Sequence, residues 1–109
     1  MVPTREGVHG MVLVTPGVLT TTAQQIQGRP VREYCGIVSG DALVFMRRNR
    51  YRPRNSNLHL HQGRKRALRA LAKRASARGA TVVVGIDIEY VAVGVGKLLI
   101  TATGTAVRL

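Results

Sequence analysis

Residues Gln62 to Arg78 read QGRKRALRALAKRASAR, and the period of this stretch decides the fold. Leu68, Leu71, Ala72 and Ala75 recur at the three- and four-residue spacing of one helical face, while Arg66, Arg69 and Lys73 gather on another. Gly79 follows at the position where a helix ends in the left-handed conformation. On both sides of this helix the period shortens to two. Upstream, Val18 to Thr22 and Val31 to Phe45 are strand candidates, separated by the turn residues Gln27-Gly28-Arg29-Pro30. Downstream, Thr81 to Val93 and Lys97 to Leu109 are joined by Gly94-Val95-Gly96, whose small residues permit a hairpin. The order strand, strand, helix, strand, strand predicts an α+β sheet with one helix packed across it.

Strict alternation assigns the faces. In the second strand Tyr34, Gly36, Val38, Gly40 and Ala42 share one side, and Cys35, Ile37, Ser39, Asp41 and Leu43 share the other, expected to be the buried one. In the third, Val82, Val84, Ile86, Ile88 and Tyr90 lie opposite Asp87 and Glu89. The apolar content of the last two strands exceeds what one helix can cover, so the subunit is expected to bury surface against copies of itself.

With 109 residues the chain has room for one domain, 18–109, preceded by an arm at 1–17 that carries at most one edge strand around Met11 to Val14. A single cysteine excludes an intrachain disulfide and a CxxC-type framework, which suits a reducing compartment. No apolar run approaches the roughly 20 residues needed to span a bilayer, and Met1 to Gly10 carries Arg5, Glu6 and His9 where a secretory signal would be apolar. A cytoplasmic location is the expectation. Seventeen Lys and Arg against five Asp and Glu give a formal net charge of +12, and no acid occurs from Ala42 to Ile86. So one-sided a field attracts anions. Within that span Arg47 to Asn57 reads RRNRYRPRNSN and offers almost nothing to a core, so the Arg-rich loop 47–61 is expected to order only on a partner.

Four sets of residues offer chemistry. The Cys35 thiolate is a soft metal donor, and a small buried apolar group is the competing reading. His59 and His61, taken as part of an extended segment, would point two imidazoles to one side as metal ligands, against a plain polar turn. Asp87 and Glu89 are a carboxylate pair suited to a hard metal or to acid–base work, against salt bridges to the many arginines. Arg47, Arg48, Arg50, Arg52 and Arg54, with Arg66, Arg69 and Lys73, form a candidate polyanion surface. There guanidinium groups would grip phosphates and Tyr51 would stack on a base. No nucleophile motif and no phosphate-cradling glycine loop occurs, so no enzymatic activity is expected.

Several words then occur in order along residues 18 to 109: LTTT (19–22), GRPV (28–31), EYCGIVSGDA (33–42), VVGIDIEY (83–90) and GTAV (104–107). Together they resemble the YbjQ family of small bacterial and archaeal proteins, described as "putative heavy-metal-binding". The resemblance implies a dodecin-like subunit that closes into a homo-oligomeric ring, commonly a pentamer, without established enzymatic activity. It also implies a metal or selenium species as ligand, since a relative binds selenium through a cysteine. The family usually carries Gly-Gly-Arg-Ser and a helix rich in Glu as well as Lys and Arg between the second strand and the helix. This chain has RRNRYRPRNSNLHLHQGRKRALRALAKR there, without an acid. The expected function is therefore a non-enzymatic, ring-forming binding protein for a metal or selenium species. The alternatives are a nucleic-acid or polyanion-binding assembly and a structural shell or scaffold component.

Overall fold

The computed structural model describes residues 12–14, 16–46 and 55–109. The chain runs β1 (Val12–Val14), β2 (Val18–Thr20), β3 (Glu33–Phe45), α1 (Asn55–Ala77), β4 (Val82–Gly94) and β5 (Lys97–Arg108). The strands form one mixed sheet in the order β1-β2-β4-β5-β3. Only β2 and β4 run parallel, with Leu19 beside Val82; the remaining neighbours are antiparallel. This is the small α+β architecture expected from the periodicity, with β1 as the edge strand of the arm.

Helix α1 lies across one face of the sheet and is seated by small residues. Ala67, Leu71, Ala72 and Ala75 are fully buried. They meet Val38, Ala42 and Val44 of β3, Ile100, Ala102 and Ala106 of β5, and Val83 and Ile86 of β4 in one aliphatic core. At Gly40 the helix backbone itself rests on the strand. A Cβ built there would fall within 3.0 Å of the Ala67 carbonyl oxygen and of the Leu71 backbone nitrogen and Cα. The helix closes as expected at Gly79, whose φ is +81°. The Gly79 N–H donates to the Ser76 carbonyl (2.9 Å) and the Ala80 N–H to the Ala75 carbonyl (3.1 Å), satisfying two of the last-turn acceptors.

The helix starts at Asn55, seven residues before the expected Gln62. Gly63 hides the earlier turns from a periodicity search: it is buried on the core face, where a Cβ would strike Val44 and Ile100 side chains. Leu60 packs against the same core one turn earlier. His59 and His61 are therefore helical, not extended. Two residues in a helix are about 200° apart, so the imidazoles diverge. The Arg-rich segment 47–54 lies outside the described residues, as does the arm before residue 12.

Two β-bulges overturn part of the strict alternation. The β3–β5 register shifts between Tyr34 and Gly36, with Gly36 at φ +107°, and the β4–β5 register shifts between Val84 and Asp87, with Gly85 at φ +63°. An extra residue inverts the parity of everything before it. Cys35 thus packs against the helix-side core. Beyond the bulge the alternation is regular, but the face of Ile37 and Leu43, expected to be the buried one, is turned away from the helix: Ile37 is 71% and Leu43 39% exposed, and Phe45 beyond them 58%. Val82 and Val84 move to the face of Asp87 and Glu89, where Val107, Leu19, Ile26, Val31 and Leu109 cover them as a second small core.

The Gly40 contact predicts that Gly40→Ala lowers stability by about 3 kcal/mol, because the obstructing atoms are backbone and cannot rotate away. Gly28→Ala, at φ +77° in open space, should lower it by about 1 kcal/mol through left-handed strain alone. Urea midpoints at constant slope measure both. Cys35, half-buried against the core, should react with a thiol reagent slowly in the folded protein and rapidly in urea. Equal rates in the two states would contradict the bulge assignment.

Candidate anion-binding groove

Strand β3 is the outer strand on its side of the sheet, so the carbonyls facing away from β5 have no strand partner. Arginines from α1 reach down to three of them. Arg66 Nη2 donates to the Leu43 carbonyl (2.7 Å), Arg74 Nη1 to Ser39 (2.7 Å) and Arg78 Nη1 to Cys35 (3.1 Å). On the opposite flank Arg64 Nη1 donates to the Tyr90 hydroxyl (3.1 Å). The helix cations are thus divided between those folded onto the sheet and those left outward.

Above the end of β3 this arrangement opens a groove of about 510 Å³. Leu43, Val44 and Phe45 line it from the strand edge, with only Val44 turned toward the helix, and His59, Gln62, Lys65, Arg66 and Arg69 line its helix side. Lys65 and Arg69 are four residues apart, as are Gln62 and Arg66 and again Arg69 and Lys73, so they stack along one stripe. Lys73 is exposed and continues this stripe past the groove. Among the described residues the one ion pair is Arg108 Nη1 with Glu33 Oε1 at 3.3 Å, so Lys65, Arg69 and Lys73 face solvent with no carboxylate of their own chain against them.

The predicted polyanion residues on the helix, Arg66, Arg69 and Lys73, do share a face. Arg47, Arg48, Arg50, Arg52 and Arg54 lie outside the described residues. Gln62 and Lys65 lie within the expected helix but carry no signal that sets them apart from its other polar residues, and the residues from β3 escaped the sequence reading because they belong to a strand end on the other side of the segment 47–54.

The predicted metal donors do not converge. His59 lines the groove and is half-buried; His61 points elsewhere and is exposed. Asp87 and Glu89 are exposed on the sheet face away from the helix, opposite Thr103 and Thr101, and Asp41 sits on the far side of Thr101. Two strand spacings separate Asp41 from Glu89, roughly 10 Å, and neighbours along one strand face lie roughly 7 Å apart. Among the described residues no three His, Cys, Asp or Glu side chains come close enough to hold a metal ion. The donors among the described residues of one subunit do not fit a heavy metal.

Residues 50–109 match the model of the YbjQ family, described as "Putative heavy-metal-binding". The chain is 38% identical over 103 residues to a UPF0145 protein of Clostridium kluyveri, covering 83% of this chain and 97% of that one. It is 30% identical over 103 residues to a UPF0145 protein of Geobacillus kaustophilus, covering 84% and 98%. The crystal structure of a protein of unknown function from Pediococcus pentosaceus, of the DUF74 family, superposes with a TM-score of 0.66 at 17% identity, covering 84% of this chain and 97% of that chain, which shows a shared fold. By the family model and by these two relatives, the chain belongs to the YbjQ family, also called UPF0145.

Proposed function

We propose that this chain is a non-enzymatic binding protein that works as a closed homo-oligomer, a pentameric ring on the family resemblance, and that its ligand is an anionic polymer. The observation that carries the polyanion reading is the stripe Lys65, Arg66, Arg69 and Lys73, unneutralised by any carboxylate among the described residues, on a chain of net charge +12. Arg47, Arg48, Arg50, Arg52 and Arg54 directly precede the helix in the chain and add to its charge. Phosphate chains suit such a surface, since each contact releases a condensed counterion and ring symmetry repeats the contact.

Self-association is supported by the open sheet face. Leu43, Leu99 and Val91 lie side by side across β3, β5 and β4, with Leu43 39% and Val91 48% exposed. A registered apolar band of this kind is normally covered. The metal or selenium reading has less support, since the His, Cys, Asp and Glu side chains among the described residues do not converge. No helix among the described residues is long and apolar enough to cross a membrane.

Light scattering should return a mass several times that of one chain, and a monomer at micromolar concentration would contradict the assembly. Duplex DNA should bind with a steep salt dependence. Replacing Lys65, Arg69 and Lys73 together by Gln should lower the log–log slope by about 3 if each neutralises one phosphate, with the oligomer mass unchanged. Indifference of the wild-type protein to both DNA and RNA at low salt would overturn the polyanion reading. A stoichiometric metal in protein purified without an affinity tag would move the assignment to metal binding.

A further inference from the structure

The β4–β5 hairpin runs on past the part of the sheet that the helix covers. From Glu89 to Lys97 every residue is exposed, whichever face its side chain takes. A strand end that is wet on both faces is ordinarily polar, yet this one reads Tyr90-Val91-Ala92-Val93-Gly94-Val95-Gly96. Val95 at the turn is 93% exposed and Val93 49%. The end of β3 joins the same tip. The Met46 N–H donates to the Gly96 carbonyl (2.7 Å), and Phe45, 58% exposed on the face turned from the helix, lies opposite Lys97.

We infer that this tip is a membrane-docking point, at which Val93, Val95 and Phe45 enter the interface of an anionic lipid bilayer while nearby cations meet its head groups. The inference is carried by the hairpin and does not depend on the polymer reading of the helix stripe. Charge selects the occupant. Residues 42–46 and 90–100 contain no acid, and their one charged residue is Lys97. Along the strands the next carboxylates are Asp41 and Glu89, four residues behind Phe45 and Val93, and so roughly 13 Å back from the tip. Cations stand closer. Lys97 is two residues from Val95, and its Cδ lies 3.5 Å from where a Cβ on Gly94 would stand, so its stem follows the hairpin and its ammonium is free to snorkel toward phosphates. Lys65 and Arg66 line the groove above the end of β3. On the other flank Arg64 donates to the Tyr90 hydroxyl (3.1 Å), and tyrosine is a residue favoured at head-group level. A second copy brings the same net charge of +12 and no carboxylate at its own tip, so tip-to-tip contact is repelled. An anionic bilayer attracts both parts of the tip, and apolar insertion together with basic attraction is the pair of signals that holds a peripheral protein. The backbone adds little cost. The ladder continues to Gly94 beside Lys97 and the Gly96 carbonyl is already bonded, so few main-chain groups would enter unpaired.

The chain contains no tryptophan, so Val95→Trp places a single fluorescent reporter at the tip, and Ser76→Trp, at an exposed position in the last turn of the helix, serves as its control. The full chain is mixed at low salt with vesicles of phosphatidylcholine alone or with roughly one-third phosphatidylglycerol. The wild-type chain should sediment with the anionic vesicles roughly tenfold more strongly than with the neutral ones. Emission from Val95→Trp should shift to the blue on the anionic vesicles and be quenched by brominated acyl chains, with Ser76→Trp unmoved. Val93→Thr combined with Val95→Thr keeps the β-branched shape and should weaken sedimentation roughly tenfold. The urea midpoint, the oligomer mass and duplex binding should stay as in the wild type. Equal binding to neutral and anionic vesicles, or no binding to either, overturns the inference. Equal shifts at positions 95 and 76 do so too, by reducing the contact to general adsorption of a basic protein. A lower oligomer mass in the double threonine variant assigns the tip to a contact between copies and overturns it as well.

Discussion

The contact between the backbone of α1 and strand β3 at Gly40 sets the distance at which the helix rides over the sheet. Ala67, Ala72 and Ala75 bring little apolar area each, so the core gains its stability from closeness rather than from side-chain size. Only with the helix this low do the arginines at positions 66, 74 and 78 reach over the strand edge to its carbonyls. The groove is a by-product of the same geometry, for its two sides are the helix flank and the end of the strand on which that helix rests. A side chain at position 40 would lift the helix, separate the arginines from the edge and widen the groove at once.

The helix, the hairpin after Gly94 and the left-handed stop at Gly79 were legible because each depends on residues close together in the chain. The bulges were not. Gly36 and Gly85 look like any glycine within a strand, and nothing nearby says that each will take a positive φ and add a residue to one side of a ladder. The information lies in the partner strand, where Val82, Val84 and Val107 need a common face to form their own core beneath Ile26 and Val31. One slip of parity was enough to part Cys35 from Ile37 and Leu43: it turns inward to the helix-side core, while they alternate regularly on the outer face. The start of the helix was hidden for a related reason, since Gly63 is there to clear Val44 and Ile100 and so erases the apolar mark that a periodicity reading looks for.

The candidate site was legible by half. Its charge was visible as an acid-free run of sequence, because an excess of arginine is a property of composition. Its shape was not, because the groove joins residues 43–45 to residues 59–69 across an intervening arginine-rich segment. Charge is also segregated in space. The cations lie on the helix side, while Asp41, Asp87 and Glu89, three of the five acids, share the opposite sheet face with Thr101 and Thr103. The carboxylates expected to quench the arginines are thus held a sheet's thickness away from them.

The arginines along β3 carry a consequence for the chain's behaviour at high concentration. A thirteen-residue outer strand with exposed Ile37 and Phe45 is a template onto which any extended segment can grow, the first step of fibril formation. Guanidinium groups already hold the carbonyls of Ser39 and Leu43, four residues apart, so an incoming strand cannot zip past them with an unbroken ladder. Part of the positive charge of this protein is therefore taken up in closing its own sheet edge, where the planar fork of arginine sets one N–H on a carbonyl and leaves the others to water.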